Sequence, residues 1–177
     1  SVLDAPLVAQ LVQEADLLFH LAAVVGVDSY LADPAEVLRV NLDGTRNAVQ
    51  ACLASGVPMV LASTSEVYGK NPHVLQEDSD AQYGATSVPR WSYALSKAAA
   101  EHWCHARSRD GLRCNIVRYF NIYGPGLDAI GSGRVISKFL GHIRDGQPLV
   151  LVDGGVAVRS FCYVDDAVAA TLAVGVA

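Results

Sequence analysis

Apolar and polar positions along this chain switch repeatedly between a helical and an extended period, and the alternation predicts helices and strands in turn. Residues 6–15 carry Leu7, Leu11 and Val12 at helical spacing, and residues 16–22 read as the strand that follows. Residues 24–34 show neither period and read as a loop at that strand's carboxyl end. A longer helical pattern over 34–55 sets Leu38, Leu42, Ala48, Val49 and Cys52 on an inner side, with Gly56 past its end and Pro58 introducing a buried strand over 57–63. Residues 71–90, rich in Pro, Asp and Ser, read as loop. A helix over 92–105, a strand over 114–119, an irregular stretch over 124–133, a helix over 134–144, a short strand over 149–152 and an aspartate-capped helix from 165 complete the series. Strands alternating with helices in this way predict an α/β fold built on a doubly wound parallel sheet.

Composition narrows the partners. The 177 residues are 51% hydrophobic and 18% charged, enough apolar surface for a substantial core. A formal net charge of -5 gives no electrostatic reason to expect nucleic acid or an anionic membrane as a partner. The longest apolar stretch, around residues 17–27, is interrupted by His20 and is too short to span a bilayer, and no secretory signal pattern occurs. A cytoplasmic protein is therefore expected. Cys52, Cys104, Cys114 and Cys162 are widely spaced and form neither a C-x-x-C pair nor a metal-ligand pattern, so they read as reduced thiols and no metal is expected.

The chemistry concentrates at Thr64-Ser65-Glu66-Val67-Tyr68-Gly69 and at Tyr93-Ala94-Leu95-Ser96-Lys97. The first segment opens at the carboxyl end of the buried strand, where open parallel sheets bind ligands. In the second, one helical turn separates the phenol from the ammonium, so both project from one face and the lysine charge can favour a tyrosinate. A phenol of lowered pKa is a general base for a secondary alcohol. Thr64, Ser65, Glu66, Tyr93 and Lys97 are thus the candidate catalytic residues. Trp91, Trp103 and His102 are assigned to packing or a subunit interface, and His20 to a satisfied strand histidine.

These segments, with Val40-Asn41-Leu42-Asp43-Gly44-Thr45, Arg118-Tyr119-Phe120-Asn121-Ile122-Tyr123-Gly124-Pro125 and Arg159-Ser160-Phe161-Cys162-Tyr163-Val164-Asp165-Asp166, resemble the extended short-chain dehydrogenases/reductases that modify nucleotide sugars with bound NAD. Pro89-Arg90-Trp91-Ser92-Tyr93, Gly131-Ser132-Gly133-Arg134 and Val152-Asp153-Gly154-Gly155 look most like the UDP-glucuronate decarboxylases. The resemblance implies a Rossmann-type domain over 1–123 and part of a nucleotide-sugar-binding region over 124–177. It gives Thr64 the hydrogen bond to the sugar hydroxyl being oxidised, and it sets Glu66 beside C4 and C5. Ser65 stands where dTDP-glucose dehydratases carry an aspartate that protonates the departing hydroxyl, an acid that serine cannot supply. Ala22, Ala23, Tyr93, Lys97 and Tyr119 are implied as cofactor contacts. Val25, Tyr30, Arg90, Asn121, Arg134 and Arg159 are implied as contacts of a UDP-sugar, for which arginine forks suit the diphosphate. An arginine at a helix start, as at Arg134, opposes the helix dipole and makes more sense with an anion beside it.

The glycines at 124, 126, 131, 133, 154 and 155 do not make G-x-G-x-x-G, and the 16–22 strand already resembles the family's fourth. The chain is accordingly expected to be an internal portion of a longer protein, and a homodimer is expected. Three alternatives stay open: a 4-epimerase, a 4,6-dehydratase, and a non-catalytic NAD(H) sensor or a portion inactive by itself.

Overall fold

The computed structural model describes residues 1–131 and 133–176; Ser132, quoted above with Gly131 and Gly133, lies outside the described residues, as do Ala177 and the side chain of Asp153. Residues 1–119, with the chain from Thr171 onward, make one compact unit, and Phe120–Ala170 make another.

In the first unit β1 (Leu18–His20), β2 (Met59–Thr64) and β3 (Cys114–Tyr119) form a parallel sheet in the order β1-β2-β3. Every residue of β2 is buried, which is why its sequence is a continuous run without an exposed polar face. Three helices accompany the sheet, α1 (Ala5–Gln13), α3 (Pro34–Ser55) and α4 (Trp91–Ser108), and α3 packs against both of the others. The boundaries of α3 follow from its ends. The Asp33 carboxylate accepts from Glu36 N at 3.0 Å, Pro34 opens the first turn, and Gly56 closes the helix at φ 71°. The core lies among Val12, Val49, Cys52, Met59, Leu61 and Cys104.

Several elements differ from the sequence expectation. The buried stripe of α3 runs through Val37, Asn41, Thr45, Ala48, Val49 and Cys52, while Leu38 and Leu42 stay partly exposed, because polar Asn41 and Thr45 find partners inside and carry the inner face with them. The loop over 24–34 contains a short helix, α2 (Val27–Ala32), started by Gly26 at φ 103° and too brief to display a period. Only residues 18–20 of the expected first strand pair with β2, in the register Leu18↔Met59 to His20↔Leu61.

In the second unit β4 (Asn121–Tyr123) pairs in parallel with β5 (Phe161–Tyr163), and α5 spans Val135–Arg144. Residues 149–151 form no strand despite their β-formers. Leu149, Val150 and Leu151 are exposed, without a ladder partner among the described residues, and a 3-10 turn follows at Val152–Gly155. Helix α6 (Val164–Gly175) starts one residue earlier than expected, so Asp165 and Asp166 lie in its first turn, where they favour the helix dipole instead of capping it. Among the described residues, no helix is long and apolar enough to cross a membrane.

Candidate active site

The parallel register brings the carboxyl ends of β1, β2 and β3 to one edge of the sheet, and the candidate residues of the first unit gather there. Thr64 is the last residue of β2 and turns directly into a 3-10 turn, Ser65–Tyr68. Its buried hydroxyl accepts from Glu66 N at 3.3 Å, and a hydroxyl that accepts this bond keeps its own proton to donate. Gly69 ends the turn at φ 64°, and a Cβ there would lie 2.2 Å from the Gln82 carbonyl oxygen, so the close return of the 70–90 loop demands glycine. That return carries Arg90 back to the turn: its guanidinium donates to Glu66 Oε2 at 3.2 Å and lies 5.0 Å from the centre of the Trp91 ring. Ser65 is half-buried beside them.

Tyr93 and Lys97 lie one turn apart on α4, as their spacing predicts. The Tyr93 ring stacks on Tyr30 of α2, with centroids 6.0 Å apart and planes 18° apart. Burial, reinforced by the Glu66 charge, raises the Tyr30 phenol above its ordinary range. Lys97 is buried, gives one proton to the Ala62 carbonyl at 2.8 Å, and is lowered by desolvation to about 8. Ala22 and Val25 are exposed, and Ala23 half-buried, after β1. The Tyr119 hydroxyl pairs with that of Thr171 at 2.6 Å.

Asn41, absent from the candidate set, organises this edge. Its side chain accepts from Val24 N at 2.8 Å, donates to Val24 O at 3.3 Å and donates to Ser96 Oγ at 3.0 Å, while Ser96 donates to the Tyr93 carbonyl at 2.7 Å. A polar residue between the apolar positions Val37 and Ala48, at the spacing of an amphipathic helix's inner side, was the available signal. Glu101, buried on the Tyr93–Lys97 face of α4, and Arg118 on β3 were missed for the same reason.

His20 is buried and satisfied. Thr45 gives its hydroxyl proton to Asn41 O at 2.8 Å, so His20 Nε2, 3.1 Å away, is the donor to Thr45 Oγ1. Burial first, and the Lys97 charge second, push this imidazole down to about 4. The folded protein thus keeps His20 neutral while an unfolded chain takes up a proton below about 6.5, so stability falls as pH drops from 6.5 toward 4. The shift corresponds to roughly 3 kcal/mol. Urea unfolding across this window should show a markedly shallower pH dependence for His20→Gln than for the parent, and identical slopes would remove His20 as the cause.

The remaining candidates lie in the second unit. Asn121 donates to Ser160 O at 2.9 Å within the β4–β5 pair, and exposed Arg159 donates to its neighbour's carbonyl, Val158 O, at 2.8 Å. Arg134 is the N-cap residue of α5, and the anion beside it is internal: Asp128 accepts from Arg134 N and from its guanidinium, both at 3.0 Å. Hydrogen bonding to Arg134 holds the Asp128 carboxyl below the usual range.

The model of the NAD dependent epimerase/dehydratase family matches residues 1–176. The chain belongs to that family. It is 44% identical over 173 residues to the UDP-N-acetyl-alpha-D-glucosaminuronate decarboxylase of Bacillus cytotoxicus, which takes in 98% of this chain and 54% of that relative. It is 33% identical to UDP-glucuronic acid decarboxylase 1 of Xenopus tropicalis over 95% of this chain and 40% of the relative. The crystal structure of UDP-glucuronic acid 4-epimerase from Bacillus cereus, in complex with UDP-glucuronic acid and NAD, superposes with a TM-score of 0.82 at 27% identity over 98% of this chain and 53% of that one. The chain spans about half the length of the curated relatives it matches. NAD is the cofactor that the family description names, and the Rossmann-type sheet agrees with it.

Proposed function

We propose that the complete protein oxidises C4 of a UDP-linked uronic acid and releases its C5 carboxylate as carbon dioxide, giving UDP-4-keto-pentose or, after reduction, UDP-xylose from UDP-glucuronate. The observation that carries this reading is the Glu66 carboxylate, held by Arg90 in the turn that Thr64 opens. An epimerase needs a hydroxyl, a phenol and an ammonium at C4, but no carboxylate beside C5.

The residues present fit the nicotinamide and ribose end of NAD. Lys97 spends one of three ammonium protons on Ala62 O, which leaves two for ribose hydroxyls, and the small side chains of Ala22 and Ala23 leave room for a flat group at the sheet edge. Tyr119 completes the proposed cofactor contacts. When bound, NAD supplies the two-electron acceptor for C4. Tyr93 removes the C4 hydroxyl proton, with Thr64 donating to the same oxygen. The C5 carboxylate is then β to a ketone, and the electrons of the breaking bond pass into an enolate whose oxygen Thr64 and Tyr93 stabilise. The enolate then takes up one proton at C5 as it returns to the ketone, and Glu66 relays that proton from water to C5 as carbon dioxide leaves. Val25, Tyr30, Arg90, Asn121, Arg134 and Arg159 bind the nucleotide sugar, Arg134 on condition that it exchanges Asp128 for a phosphate. The assembly is proposed to be a homodimer in the cytoplasm.

The N-acetylated sugar is a second substrate reading, favoured by the 44% identity to a decarboxylase of that substrate against 33% to a glucuronate enzyme. The full-length protein should therefore release carbon dioxide from UDP-glucuronate, UDP-N-acetylglucosaminuronate or both, with a pentose product by mass spectrometry. A C4 epimer formed without carbon dioxide hands the assignment to the epimerase.

A further inference from the structure

We propose that Glu101, which is buried, and Arg118, which is half-buried, form a brace that positions the Thr64 hydroxyl against the Tyr93 phenol. Glu101 lies on α4 one turn beyond Lys97 and two beyond Tyr93, and only 5% of it is exposed. Its carboxylate accepts from Ser63 Oγ and from the Arg118 fork, Nε at 3.0 Å and the terminal nitrogen at 2.6 Å. Ser63 directly precedes Thr64, and Arg118 sits opposite Ser63 in the β2–β3 register. The guanidinium lies 4.8 Å from the centre of the ring of Tyr68, the last residue of the turn bearing Ser65 and Glu66, and donates to Glu77 O at 2.8 Å. One ion pair thus touches the strand before Thr64, the end of the catalytic turn, the following loop and the helix of Tyr93 and Lys97.

Packing alone does not call for these charges. The Glu101 carboxylate, and in part the Arg118 guanidinium, loses hydration that their attraction only partly returns, and apolar side chains of the same size commonly hold a fold as well or better. A carboxylate–guanidinium fork is directional, whereas apolar contacts can slide. Direction matters between α4 and the β2 turn because a misplacement of about 1 Å between reacting groups costs on the order of 100-fold in rate. Neither residue reaches the sugar in the proposed pose; both are positioning residues. The brace rests on the C4 oxidation proposed above, a step that the decarboxylase and epimerase readings share.

The test uses the full-length protein with its NAD, and follows NADH formation in single turnover from UDP-glucuronate, UDP-N-acetylglucosaminuronate and UDP-glucose, each with and without deuterium at C4. Glu101→Gln is expected to lower kcat about 30- to 100-fold with KM and NAD content within about threefold, and to raise the deuterium effect as C4 oxidation becomes limiting. The double variant Glu101→Met/Arg118→Met covers the case in which the single variant does not fold. It should recover the parent's unfolding midpoint and remain at least about 30-fold slow. Asp110→Asn, in the exposed pair with Arg107 at the C-terminal end of α4, is the charge control and should leave the rate unchanged. A folded Glu101→Gln at the parent's kcat, or a double variant whose rate returns with its stability, overturns the brace alone. A parent that forms NADH from none of the three sugars overturns the functional reading and the brace's role with it.

Discussion

Tyr93→Phe in the full-length protein should lower the proposed C4 oxidation by about three orders of magnitude or more, the upper range for a positioned proton-transfer group. The substitution removes only the hydroxyl. Its ring can keep the stack on Tyr30, and Ser96 can keep its bond to the residue's carbonyl, so helix and sheet edge should be undisturbed. Affinity for the UDP-sugar should stay within a few-fold, because the lost group acts on the transition state more than on the bound ground state. Lys97 cannot substitute for it. Its ammonium is held by Ala62 O and, with a pKa near 8, remains largely protonated at neutral pH and has no free lone pair to accept a proton. The measurement is single-turnover NADH absorbance beside substrate binding by calorimetry. Near-normal turnover in the variant would show that another group is the base.

Glu66→Gln separates the two halves of the proposed reaction. The amide keeps the size and one acceptor for Arg90, so the turn and the 70–90 loop should hold. What is lost is the negative charge beside C5. Carbon dioxide release should slow by roughly two to four orders of magnitude, the usual worth of a proton-transfer group, while NADH still forms at nearly the parent's rate. The variant should therefore accumulate reduced cofactor and a keto sugar that retains its carboxylate. Following carbon dioxide and NADH in one reaction tests both statements, and unchanged release would remove Glu66 from the mechanism.

Local chemistry that one segment carries was legible before any coordinates. The α3 boundaries follow from Asp33, Pro34 and Gly56, and the buried β2 strand follows from an unbroken run of small and apolar residues ending at Thr64. The Tyr93–Lys97 spacing required only a helix, and α4 supplies it. Where the expectation failed, the deciding partner was distant in sequence. Residues 149–152 contain strand formers, but a strand needs a neighbour to take its hydrogen bonds, and residue type cannot say whether one is present. Ala48, Val49 and Cys52 lie on the inner face of α3 as expected, but its first half was misplaced by one position because hydrophobic spacing counts Leu38 and Leu42 and overlooks Asn41, whose partners Val24 and Ser96 lie 17 and 55 residues away.

The sequence by itself determined the family, the α/β alternation and the identities of the hydroxyl, carboxylate, phenol and ammonium, because each depends on residue type at short spacing. Only the tertiary structure decided what those groups are bound to. It paired Glu66 with Arg90, 24 residues on, laid Tyr30 against Tyr93, and gave Arg134 an internal carboxylate in Asp128. It also revealed Glu101 and Arg118 as one ion pair linking helix, strand and turn. The physical reason is that a charge in a sequence carries no sign of its burial. Whether a carboxylate faces water or must find a guanidinium depends on which distant segments exclude solvent around it, and the packed chain settles that.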